Sequence, residues 1–318
     1  MRIVREPFDR PPERQRDEVR ARRLEWVSIV FLLSATVVMY LTLGGSQAMK
    51  TAWIEDILSL VPPIAVLLAS SGADRRATED FPYGYARSMS IAFLSAATAL
   101  TTMGLYLVYD SSMTLIHAEH PTIGQLEVLG IRTWAGWAMI AALAYTVAGP
   151  VILGRLKLPL ARSLHNKALH ADAAMNRADW MTAAAGIAGI LGVGLGWWWA
   201  DGAAALVISF SILQDGLFHL RNAAADLMDR RPTSVDRSEP LDVGDMVIGY
   251  LEGLPWVRKA GVRLREEGEG LVGEAFVDPA DGRISATQAD EATDGIRDLD
   301  WRLYDVVVSP TRRLNPDG

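Results

Sequence analysis

Six stretches of this chain are apolar for long enough to cross a bilayer, and the charged residues between them alternate in kind. The stretches run roughly 25–44, 49–70, 88–112, 132–154, 171–195 and 202–224, each close to the ~20 residues that a span needs. Arg22 and Arg23 precede the first, and Arg75, Arg76 and Arg87 lie between the second and third. Arg155, Lys157, Arg162 and Lys167 lie between the fourth and fifth, while Arg221, Arg230 and Arg231 accompany the end of the sixth. The opposite connections hold Lys50 in the first and no Lys or Arg across 113–131. By the positive-inside rule, this asymmetry predicts a multi-pass protein of the cell (inner) membrane with both termini cytoplasmic. Trp134, Trp137 and the run Trp197-Trp198-Trp199 then fall near the outer interface, as an aromatic belt would.

From about residue 233 the pattern changes. Leu241–Leu254 and Thr287–Leu299 alternate as amphipathic helices, and Val257–Arg265, Leu271–Val277 and Trp301–Ser309 alternate as strands. The first two strands flank the charged turn Glu266-Glu267-Gly268-Glu269-Gly270. The predicted organisation is an N-terminal cytoplasmic arm over 1–23, a six-helix transmembrane domain over 24–232, and a cytoplasmic α+β domain over 233–318. The αββαβ order of this last domain suits helices laid on one face of a three-stranded, ferredoxin-like sheet.

Composition agrees with a membrane class: of 318 residues, 50% are hydrophobic. The absence of Cys excludes disulfides, thiolate metal sites and cysteine redox chemistry. The net charge of -7 is modest and says little about partners, while the acid concentrated in the C-terminal third argues against a nucleic-acid-binding tail. No nucleophile elbow, paired-His zinc helix or Gly-rich phosphate loop is present, so an enzyme is not expected.

The candidate chemistry lies in acids placed inside apolar runs, where a carboxylate costs on the order of 3 kcal/mol on the insertion scale and marks a functional position. In the second span, Glu55 and Ser59 share a helix face and Asp56 points about 100° away. Pro62 and Pro63 follow, and they deprive the carbonyls of Leu58 and Ser59 of their helical partners. In the fifth span, Asp172, Met175 or Asn176, and Asp179 recur at i, i+3/4, i+7 on one face. Asp172 also reads as a first-turn acid that stabilises the helix start. His165 and His170 read as solvated histidines of the connection before this span, Asp215 and His219 as a hydrogen-bonded structural pair in the sixth, and His117 and His120 as outer-loop residues. Gly186 and Gly189 read as positions of close helix approach.

Several pieces, in order, resemble the cation diffusion facilitator family of divalent metal/proton antiporters. They are Phe81-Pro82-Tyr83-Gly84-Tyr85-Ala86-Arg87, Ala171-Asp172-Ala173 through Asp179, Trp199-Ala200-Asp201, and Leu227-Met228-Asp229-Arg230. The resemblance covers nearly the whole chain. It implies a homodimer and a metal site between spans two and five that exchanges metal for protons. Carried over by position, the family's ligand places fall on Glu55, Ser59, Met175 and Asp179. Ser59 and Met175 stand where the family usually has stronger ligands, and Asp56 and Asn176 are neighbouring substitutes. A site of carboxylates, amide and hydroxyl without imidazole suits Mn²⁺ or Fe²⁺ over Zn²⁺. The metal is cargo here, and no cofactor is expected. A transport-inactive scaffold or heterodimer partner is the alternative that the weakened ligands leave open.

Overall fold

In the computed structural model, the structure describes residues 10–73, 77–121, 123–128, 131–312 and 314. Arg75 and Arg76 of the basic connections lie outside them. Seven helices make up the apolar part: α1 (Pro12–Thr42), α2 (Gln47–Leu58), α3 (Val61–Ala73), α4 (Ser88–Ile116), α5 (Ala135–Ser163), α6 (Lys167–Gly194) and α7 (Ala200–Leu227). Helices α2 and α3 together are the second predicted span. Among the described residues, five segments are long and apolar enough to cross a membrane: α1, α2 with the first part of α3, α4, α5 and α7. Helix α6, at 28 residues, is the sixth element of the bundle and packs between α5 and α7.

The span broken at its prolines was legible in the sequence. Helix α2 stops at Leu58, Ser59-Leu60 form a turn, and α3 begins at Val61 with Pro62 and Pro63 in its first turn. Proline is tolerated there because first-turn N–H groups have no helical acceptor in any case. The other end of α2 is held by α7. Asp201 Oδ1 accepts from Ser46 Oγ at 2.5 Å and Asp201 Oδ2 from the Gln47 N–H at 2.5 Å, while Ser46 itself caps α2 through the Met49 N–H. Close approach fixes α7 against α4: a Cβ added at Gly216 would lie 2.8 Å from the Thr101 backbone.

Three boundaries differ from expectation. The N-terminal arm has no break near residue 23, since α1 runs unbroken from Pro12 to Thr42. Helix α5 extends to Ser163, which puts Lys157 inside a helix rather than in a connection. The connection between α4 and α5 contains a short hairpin, β1 (Gln125–Val128) with β2 (Ile131–Trp134), which was not expected.

The tail forms α8 (Val243–Glu252), β3 (Val257–Glu267), β4 (Gly270–Pro279), α9 (Ala286–Leu299) and β5 (Leu303–Pro310). Strand β4 is central, antiparallel to β3 and parallel to β5, and α9 makes the crossover that a parallel pair requires. Val247 and Leu251 of α8, Leu271 and Val277 of β4, Ile296 of α9 and Leu303 of β5 close one core.

The acidic β3–β4 turn, which hydropathy alone would leave in solvent, is docked against the helix bundle. Gly268 takes φ +65 in the tight turn. Glu269 pairs with Arg10 at 2.8 Å and accepts from Asn166 at 2.9 Å. Glu266 pairs with Lys167 at 2.7 Å and accepts from the Thr233 N–H at 2.9 Å. Burial pushes the Glu266 carboxyl up, but His165, Lys167 and the Thr233 N–H outweigh it and hold it below the ordinary carboxylate range. His165 is thus a buried junction residue, with its Nδ1 3.0 Å from Arg302 Nη1, and not a solvated loop histidine. His170 lies within α6.

Candidate cation site

Two groups of acids lie along α6, and they differ in what surrounds them. The first is a closed ionic triad. Lys157 Nζ of α5 lies 2.9 Å from Glu25 Oε2 of α1 and 2.5 Å from Asp172 Oδ2 of α6, with all three side chains at most 3% exposed. Asn176, one turn on, donates to the same Asp172 oxygen at 3.2 Å. Asp172 is therefore no first-turn capping acid; Asn166 caps α6 through the Leu169 N–H. Asn176, expected as a substitute ligand, is turned toward the triad. Glu25 and Lys157 were not singled out in the sequence.

The second group surrounds a small cavity among α2, α4, α6 and α7. Glu55 of α2 and Ser59 just after it, Met175 and Thr182 of α6, and Ser211 and Asp215 of α7 supply its polar and thioether wall. Thr182 Oγ1 donates to Glu55 Oε1 at 3.1 Å, which ties α2 to α6 across the space. Glu55 lies eight residues into α2, about 12 Å along the helix axis. A second small cavity shares Glu55, Ser59 and Thr182 and adds Asp56 with Thr146 of α5. Asp56 Oδ2 is buried there without a hydrogen-bond partner.

The structure thus brings Glu55, Ser59 and Met175 together, sets Asp56 on the adjoining wall, and directs Asn176 elsewhere. Asp179 lies on α6 one turn from both Met175 and Thr182; its side chain falls outside the described residues. The face expected to carry Asp172, Met175 or Asn176, and Asp179 is in fact two. Asp172 and Asn176 look toward α5, while Met175 and Thr182 look toward α2 and α7. Among the described residues, no three acidic or imidazole side chains converge closely enough to hold a metal ion. The donors line the cavity wall instead of meeting at one point. Asp215 and His219 do not form the expected pair: no hydrogen bond joins them, Asp215 lines the Glu55 cavity, and His219 lines the next cavity together with Leu58 and Met175.

Residues 25–228 match the family description "Cation efflux transmembrane domain". The chain belongs to the cation diffusion facilitator family. It is 24% identical over 203 residues to the manganese efflux system protein MneS of Bacillus subtilis (strain 168), covering 64% of this chain and 66% of that relative. It is 24% identical over 222 residues to the magnetosome protein MamB of Magnetospira sp. (strain QH-2), covering 69% and 71%. A cadmium, cobalt and zinc/H(+)-K(+) antiporter of Bacillus velezensis is 23% identical over 217 residues, covering 65% and 64%. The chain spans about two thirds of each relative's length, and the family match over 25–228 includes every residue of both acid groups. Membership and five apolar helices make this an integral membrane protein.

Proposed function

We propose that this protein exports a divalent metal cation across the membrane in exchange for protons, through a carboxylate-based site between α2 and α6. The observation that carries the reading is the cavity on which Glu55, Ser59, Met175 and Thr182 converge, inside a chain of a cation efflux family. Asp179, one turn from Met175 and Thr182, is the expected second carboxylate. Two close carboxylates in a dehydrated site cannot both hold charge cheaply. One keeps a proton until a metal ion displaces it, and release of the metal on the far side lets a proton return.

The donor set favours Mn²⁺ or Fe²⁺ over Zn²⁺. Carboxylate and hydroxyl oxygens dominate the wall, one thioether is present, and no imidazole lines the Glu55 cavity. The name of the manganese efflux relative supports Mn²⁺, while that of the cadmium, cobalt and zinc antiporter points to softer ions. Residue Arg10, the tail, and the connections bearing Arg87 and Lys167 meet at one end of the bundle. This supports both termini on the basic, cytoplasmic side of a cell (inner) membrane. A homodimer is the assembly that the family resemblance implies.

The test is Mn²⁺ uptake into proteoliposomes under an imposed pH gradient. The parent should move metal and collapse the gradient, and Glu55→Gln should do neither. Parent protein that binds Mn²⁺, Fe²⁺ and Zn²⁺ no better than Glu55→Gln would sink the proposal.

A further inference from the structure

The second span of this chain has a serine where the family site places its second acid, and a missing negative charge in a site for a divalent cation needs a source. Asp215 is on α7, a helix to which neither the sequence nor the resemblance assigned a ligand. Its side chain lines the same cavity as Glu55, Ser59 and Met175, and Ser211, one turn earlier on α7, lines it as well. Gly216, directly after Asp215, brings α7 against the Thr101 backbone, so the aspartate stands on a rigid, closely packed segment. Asp215 has no hydrogen bond or ion pair among the described residues.

Asp215 is part-buried near the middle of the apolar helix α7, and a carboxylate inside a membrane helix without a partner is costly unless a cation or proton meets it. The adjoining cavity makes the same point independently, because Asp56 Oδ2 is buried there with no partner. No Lys, Arg or His is among the described residues lining either cavity. Three acids therefore line two adjoining spaces that share Glu55, Ser59 and Thr182, and whose described walls hold no Lys, Arg or His. The triad on the other side of α6 shows what this chain does when it needs such charge closed off: it supplies a lysine.

We propose that Asp215 is a ligand of the transported cation, supplying from α7 the carboxylate that Ser59 does not supply from α2. The site is then built on three helices, and α2, α6 and α7 close on the ion as it binds. This rests on the cation-transport reading above. An oxygen-rich site with acids from two or three helices favours harder divalent ions, and removal of Asp215 should shift preference toward softer ones that Met175 can hold.

The experiment is equilibrium binding of Mn²⁺ and Zn²⁺ to the purified full-length protein in detergent, with apparent melting temperature as a check on folding. Asp215→Asn should lower Mn²⁺ affinity at least roughly 100-fold, the upper end of what losing an outer-shell partner costs at metal sites. Zn²⁺ affinity should fall less. Asp215→Glu should retain binding. Ser59→Asp placed in the Asp215→Asn background should recover Mn²⁺ binding, which a purely structural role for Asp215 would not allow. Asp215→Asn protein that folds and binds Mn²⁺ like the parent overturns the inference and leaves the Glu55 site standing. So does an Asp215→Asn variant that fails to fold or bind and is not recovered by Ser59→Asp. Failure of the transport reading would look different, because the parent and Glu55→Gln would then bind metal alike.

Discussion

Two groups of acids lie against two faces of helix α6, and their surroundings differ in charge. On the α5 side, Asp172 and Glu25 share Lys157, Asn176 supports Asp172, and the three charged side chains are almost wholly excluded from solvent. On the α2 and α7 side, Glu55 accepts from the Thr182 hydroxyl and lines a cavity with Asp215 and Met175. The first group contains its cation in the sequence. The second has room for one from outside. Buried acid as such is therefore a poor marker of a transport site in this protein; a buried acid beside empty space, without a basic residue in the described wall, is the better one.

The comparison predicts different losses. Lys157→Met leaves two carboxylates buried without their cation, and removing one partner of a buried pair costs about 3–5 kcal/mol. The apparent melting temperature in detergent should drop sharply or folded yield should vanish. Adding Glu25→Gln and Asp172→Asn to Lys157→Met should restore most of the loss. If the lysine variant alone melts like the parent, the triad does not hold the bundle together.

Glu55→Gln should behave in the reverse way. It is expected to weaken Mn²⁺ binding by roughly 100-fold, or about 2.7 kcal/mol, with little change in melting temperature. Calorimetric titration beside thermal unfolding reads both quantities, and a variant that loses stability but keeps its affinity would exchange the roles given to the two faces.

Asn176→Ala separates the faces within one turn of helix. Loss of its hydrogen bond to Asp172 should cost about 1 kcal/mol of stability and leave metal affinity unchanged. A fall in affinity instead would return Asn176 to the ligand set.

The smallest effect lies at the docked β3–β4 turn, where pairing is polar and close to solvent. Glu266 has its carboxyl held below the ordinary range, so its contribution is present above the unfolded value of about 4.3 and is lost as pH falls through the lower folded value. The parent should exceed Glu266→Gln by about 1 kcal/mol at neutral pH, and the gap should narrow on acidification. A gap that stays constant down to strongly acidic pH would mean that the charge of Glu266 is not what docks the turn.

Local pattern determined much of this molecule. Apolar runs placed the six spans, the Pro62-Pro63 pair placed the break after Leu58, and alternation placed both helices and all three strands of the tail within a few residues. These features depend on near neighbours in the chain, since periodicity and missing N–H groups act over a turn or two. Ser59 and Met175 were named from their order in a family pattern, and the fold puts both on the Glu55 cavity.

Charge partnership was decided only by the tertiary structure. Glu25 and Lys157 are 132 positions apart, and Lys157 reads in the sequence only as a connection charge, yet the two meet at 2.9 Å. The acidic turn at 266–269 reads in the sequence only as a charged link between two strands, and the fold closes Arg10, Asn166 and Lys167 around it. Asp215 looked paired with His219 one turn away, but the two face different cavities. The sequence alone shows where charge enters the apolar layer. Which charges neutralise one another, and which are left facing open space, depends on how helices distant in sequence are rotated and packed.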